Sequence, residues 1–137
     1  MKQEDKELLL KDLSARVTYG IMVEQTLFQP SLADKEQRLK SVQANGVVQL
    51  YWYKYINELV PIHCVKPYLR PMSSMTEEER AERISILYEL EGHIEEDVTY
   101  KYQDWLNSHH LDYRGLIHKG LAIEAPKGMY NINFYKL

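Results

Sequence analysis

His109, His110, Asp112, Arg114 and His118 crowd into ten residues of the stretch Trp105-Leu-Asn-Ser-His-His-Leu-Asp-Tyr-Arg-Gly-Leu-Ile-His-Lys-Gly120. Donors of these types can ligate zinc or iron when three or four converge on one point. The spacing argues against convergence. Adjacent residues leaving a helix project about 100° apart, so His109 and His110 do not share an ion, and the chain has neither a His-x-x-x-His nor a Cys-x-x-Cys pair to complete a site. Asp112 beside Arg114 or a histidine could move a proton. No nucleophile elbow, phosphate loop or paired-carboxylate motif accompanies them. Ser108 precedes two histidines, but catalytic triads are assembled from distant segments rather than from sequence neighbours. The expectation is no catalytic residue, no metal and no cofactor. The plainer role is to end a helix over 93–109: His109, His110 and Arg114 carry donors for free helix carbonyls, and Asp112 holds Arg114 or nearby turn amides. Gly115 then permits the reversal.

A second candidate surface is the ladder Tyr51, Tyr53, Tyr55. Aromatics on one face of a strand can stack bases, and Lys54, Lys66 and Arg70 are near in sequence. The alternative is that a helix covers this face and the tyrosines are half-buried, an explanation favoured by the lack of basic density. Across residues 76–97, nine acids face two arginines. This pattern suits a basic partner, and a solvated helix face produces it equally well. Pro67-Tyr-Leu-Arg-Pro71 reads as a rigid crossover that plugs Tyr68 and Leu69 into the core. Cys64, in an apolar strand-like context, reads as an inert thiol.

Several elements must position these groups. Leu9, Leu10 and Leu13 give helical spacing over 4–16, with Lys6, Lys11, Asp12 and Arg16 on the polar side. Gly20 marks a break, and Val17, Tyr19, Ile21 and Val23 alternate with strand period. Residues 37–44 make a weak polar strand. Asn45-Gly46 signals a hairpin, because both positions of a two-residue turn require positive φ. In the strand over 47–56, Val48, Leu50, Trp52 and Ile56 oppose the tyrosines. Pro61 ends or bends this run. Thr76-Glu-Glu-Glu79 is a capping box opening a helix, with Ile84, Leu87 and Tyr88 as its apolar stripe and Gly92 at its end or kink. A further helix carries Ile94, Val98, Tyr102, Trp105 and Leu106, and Tyr130 to Tyr135 alternate as a last strand. Segregated helices and strands make the fold α+β. The expected architecture is a small antiparallel, SH3-like sheet over 1–70 and a helical half over 71–137, in a single domain. One core is expected to join Trp52, Ile94, Val98, Trp105 and Leu106.

Composition bounds the function. Hydrophobic residues make up 45% and charged residues 27% of 137, ordinary for a folded domain. The net charge of −3 divides into ten Lys/Arg against eight Asp/Glu before residue 71 and seven against twelve after it. Neither half is basic enough to bind nucleic acid through phosphates alone. One cysteine excludes an internal disulfide and fits a reducing compartment. No apolar run is long enough to span a bilayer, and the charged N-terminus does not resemble a signal peptide. The chain is therefore expected to be cytoplasmic, with no membrane partner.

Three segments, Leu9-Leu-Lys-Asp-Leu-Ser-Ala-Arg16, Lys66-Pro-Tyr-Leu-Arg-Pro-Met-Ser-Ser-Met-Thr-Glu-Glu-Glu-Arg80 and the run from Asp104 to Tyr130, resemble a family of small uncharacterised proteins of gut bacteria and their phages. The resemblance covers about half the chain and leaves residues 24–64 unmatched. It implies no activity. It implies a non-enzymatic accessory or interaction protein of a bacterial mobile element, with a protein as partner. A nucleic-acid module using the tyrosine sheet is the first alternative, and a small metal enzyme using His109 to His118 the second.

Overall fold

The structure, a computed structural model, describes residues 1–26, 36–51, 59–91 and 96–130. Helix α1 (Gln3–Arg16) is followed by a 3₁₀ turn at Val17–Tyr19, and strands β1 (Met22–Gln25), β2 (Glu36–Val42), β3 (Val47–Tyr51), β4 (Leu59–Pro61) and β5 (Val65–Leu69) then form a curled sheet. Helices α2 (Glu77–Glu91) and α3 (Glu96–Ser108) follow, and the short β6 (Ile123–Glu124) closes the sheet. The strand order is β4-β3-β2-β1-β5-β6, antiparallel except for β5–β6. The fold is α+β. Four strands run as a meander and the fifth returns beside the first, an order that SH3-like barrels share. Among the described residues no helix is long and apolar enough to cross a membrane.

The inner face of the sheet carries Val23, Leu39, Val48, Leu50, Val65 and Leu69, which pack with Leu9 and Leu13 of α1 and with Leu116, Leu121 and Tyr130. α1 therefore covers the Val48–Leu50 face. The opposite face is open at Tyr51, which is 54% exposed, but buries Tyr68 at 5%. Tyr51 is thus more exposed than the half-buried ladder expected of it. Tyr53, Tyr55 and Trp52 lie outside the described residues.

Several other expectations change. Asp12 and Arg16 were assigned to the polar side of α1, yet both are fully buried. Positions 9, 12, 13 and 16 make one stripe at helical spacing, half apolar and half ionic. Val17 to Tyr19 coil into the 3₁₀ turn rather than extending. Gly20, at φ 71°, then turns the chain into β1. The Asn45-Gly46 hairpin forms, but only Gly46 takes positive φ, at 86°. Its amide donates to Gln43 O at 3.1 Å and the Gln43 amide to Val47 O at 2.9 Å. A three-residue loop with a glycine bulge replaces the two-residue turn.

The capping box is present: the Glu79 amide donates to Thr76 Oγ1 at 3.1 Å and the Thr76 amide to Glu79 Oε1 at 2.9 Å. The apolar stripe of α2 is not the expected one, since Ile84 is 61% and Tyr88 76% exposed while Ile86 is buried. Among the described residues of the expected helical core group, Leu106 is buried and Trp105 half-buried, and neither belongs to the hydrophobic cluster under the sheet. Ile94 and Gly92 lie outside the described residues, as does the side chain of Val98.

Candidate functional site

The end of α3 is where the candidate residues gather. The Leu111 amide donates to Leu106 O and the His110 amide to Asn107 O, both at 3.1 Å. These two bonds define a Schellman helix end, with His110 at the position that glycine or asparagine usually fills. His110 accordingly sits at φ 59°, the only positive φ among the described non-glycine residues. The chain then lies beside the end of β5: the Arg70 amide donates to His110 O at 2.7 Å and the Asp112 amide to Arg70 O at 2.8 Å. Leu106 and Leu111 are both buried, as the motif's apolar contact requires.

Behind this end lies a buried ionic knot. The Asp12 carboxylate accepts Arg16 Nε at 3.0 and 3.1 Å and Arg114 NH1 at 2.8 Å, while Arg16 NH2 donates to Leu111 O at 2.7 Å. Arg114 thus pairs with Asp12 rather than with Asp112. Asp112 instead accepts the amides of Leu116 and Ile117 at 2.8 and 3.0 Å, which fixes the turn ahead of buried Leu116. A second buried pair joins Arg70 to both oxygens of Glu79, at 2.7 and 2.8 Å, and Arg70 NH1 also donates to His109 O. Burial alone would raise the Glu79 carboxyl, but the Arg70 hydrogen bonds, the Thr76 amide and the charges of Arg70 and His109 hold it at about 2.

These supports frame a cleft of about 820 Å³ between the open face of the sheet and the helix ends. Thr18, Tyr19 and Gly20 form its lip, Met22 and Arg38 its sheet wall, Glu82, Ser108, His109 and His110 its helix wall, and Met129 and Tyr130 its floor. His110 is only 3% exposed, its ring stacks on Tyr130 with centroids 3.7 Å apart, and its Nδ1 is buried without a hydrogen-bond partner. Burial, together with the charges of Arg16, Arg70 and His109, drives its pKa down to about 3, so the ring is neutral. Tyr130 anchors the floor by donating its hydroxyl to Tyr68 O and accepting the Met22 amide, each at 2.8 Å. Arg38 is exposed and lies over the Tyr51 ring at 5.2 Å, with Lys40 over the same ring at 5.7 Å.

His109 Nδ1 lies 2.8 Å from the Trp105 carbonyl, which can only accept, so that nitrogen carries the proton. It therefore has no lone pair for the Ser108 hydroxyl 3.1 Å away, and that hydroxyl also donates to Trp105 O, at 2.9 Å. The pair is not a nucleophile and its base. Among the described residues no group of three His, Cys, Asp or Glu side chains could hold a metal ion. His118 is exposed, and Cys64 is half-buried in a 3₁₀ turn.

Of the residues singled out in the sequence, Arg70, Ser108, His109 and His110 line the cleft, and Tyr51 stands beside it through Arg38. Asp112 and Arg114 only brace it. Met22, Arg38, Met129 and Tyr130 were not singled out, because nothing local marks them. A helix ending Ser-His-His-Leu without glycine was the one readable signal that His110 is held at a conformational cost. Comparison with protein-family models, curated proteins and solved structures finds no match to this chain.

Proposed function

We propose that this chain is a non-enzymatic interaction protein whose cleft receives a group presented by its partner. One observation carries the proposal: a neutral, buried histidine with an unpartnered Nδ1 occupies a left-handed position in the cleft wall. A left-handed non-glycine residue costs about 1–3 kcal/mol and persists at sites where the side chain is needed. An unpaired buried nitrogen adds a comparable cost, which a bound ligand's donor or acceptor would recover. The size and mixed lining of the cleft suit a ligand site. The resemblance to small proteins of gut bacteria and phages supports an accessory role in a bacterial cytoplasm, with a protein as the partner. Acting as a nucleic-acid module is less well supported, since among the described residues two cations, Arg38 and Lys40, lie over the Tyr51 ring.

The methionines allow a direct test, because two of the five, Met22 and Met129, line the cleft. In protein labelled at its methionine methyls, fragments that occupy the cleft shift the Met22 and Met129 signals and leave Met72 and Met75 in place. His110→Asn keeps a residue that tolerates the helix end and should abolish those shifts. A fragment library that never moves Met22 or Met129, or moves them equally in the variant, refutes the proposal.

A further inference from the structure

We infer that the group received by the cleft is an anion on an apolar stem, a carboxylate or a phosphate, with Arg38 as its counter-charge. The inference rests on the cleft being a binding site and names what it selects.

The argument follows the charges around the cleft. Arg70 is committed to Glu79 through both carboxylate oxygens. His110 is neutral, offering hydrogen bonds but no charge. On the helix wall, His109 Nε2 stands 3.8 Å from Glu82 and 3.9 Å from Glu79, so two carboxylates already face it. Glu82 also accepts Trp105 Nε1 at 3.0 Å. Arg38 differs: among the described residues it contacts the Tyr51 ring and no carboxylate pairs with it. A guanidinium resting on an aromatic face keeps its in-plane N–H donors for a planar or tetrahedral anion. Gly20 lies alongside it, where a Cβ would be in ordinary contact with Arg38 Nε at 3.7 Å, so the glycine is required by its φ of 71° rather than by space. Between Arg38 and the histidine wall, Met22 and Met129 supply an adaptable apolar lining. Glu82 across the cleft repels a second negative charge, so the ligand bears its charge at the Arg38 end alone.

The test uses the full chain with labelled methionines and three phenyl probes on the same two-carbon stem: 3-phenylpropionate, 2-phenylethyl phosphate and neutral 3-phenylpropanol. At least one anion should shift Met22 and Met129 with an affinity about tenfold above the alcohol, equivalent to about 1.4 kcal/mol. The tighter of the two anions identifies the source as a carboxylate or a phosphate. Arg38→Gln should erase the advantage while leaving alcohol binding in place, and Arg38→Lys should keep part of it. Thermal melting of both variants at the parent temperature assigns the loss to binding. If the alcohol binds as tightly as both anions, or if Arg38→Gln retains the preference, the anion inference fails and the cleft remains a binding site. If no probe moves either methionine, the cleft proposal fails with it.

Discussion

Removing the carboxylate of Asp12 should be the most damaging single change in the molecule. Asp12 is fully buried and receives three charge-assisted hydrogen bonds, two from Arg16 Nε and one from Arg114 NH1. Arg16 is equally buried, and its NH1 already lacks a partner. Asp12→Ala therefore strands a guanidinium whose remaining hydrogen bond is to the Leu111 carbonyl and whose other contact is the Tyr113 ring, 5.2 Å away. Breaking a buried ion pair from one side costs about 3–5 kcal/mol, because the surviving charge is left unsolvated. Against a total stability of about 5–15 kcal/mol for a domain, that loss leaves a marginal fold. Arg114→Ala should cost less, about 1–3 kcal/mol, since Asp12 keeps Arg16. Urea unfolding of Asp12→Ala, Arg114→Ala and the double variant measures the coupling directly. The double variant should fall short of the sum by about 1 kcal/mol or more, because both singles remove one shared contact. Asp112→Ala with Arg114→Ala should be additive, as these residues serve different partners. Retention of stability within 1 kcal/mol in Asp12→Ala, or coupling found for Asp112 rather than Asp12, would refute the reasoning.

Stability should rise with pH between about 3 and 6.5. The unfolded chain protonates His110 near 6.5 and the folded chain only near 3, so acid favours unfolding in that window. Glu79, ionised in the fold down to about 2, adds a second loss of the same sign as pH falls below about 4.5. Denaturant midpoints across this range should slope upward with pH, and His110→Asn should flatten the upper part; an unchanged slope in the variant excludes the buried neutral ring. Tyr130→Phe removes the hydroxyl that joins Met22 N to Tyr68 O and should lower stability by about 1–3 kcal/mol in urea titration. Trp105→Ala should cost less than the roughly 3–5 kcal/mol of an enclosed aromatic, because the indole is half-buried; a loss in that range by thermal unfolding would show that it packs more tightly.

The chain's local grammar was legible because local contacts write it. The capping box at Thr76 and Glu79, the break at Gly20, the hairpin at Asn45-Gly46 and the alternation of Val48 and Leu50 each depend on residues within a few positions. All four appear at the places the sequence marks, though the hairpin takes a different turn. Faces of helices were less legible. Period alone gave α2 a stripe of Ile84 and Tyr88, which is exposed, and gave α1 a polar side at Asp12 and Arg16, which is buried. Asp12 and Arg16 pair locally, four residues apart, but the bonds that complete their burial, like the one that anchors Tyr130, are remote: Arg16 to Leu111 spans 95 residues, Asp12 to Arg114 spans 102 and Met22 to Tyr130 spans 108. The cleft belongs to the same class. His109 and His110 were visible as residue types, but Arg38 and Met22 became their neighbours only when β5 returned beside β1 and drew the end of α3 against it. Sequence determined where the chain turns and which period each segment follows. Tertiary pairing decided whether the local Asp12–Arg16 pair could be buried and which residues share a cleft, because the hydrogen bonds that complete those arrangements lie in no local window.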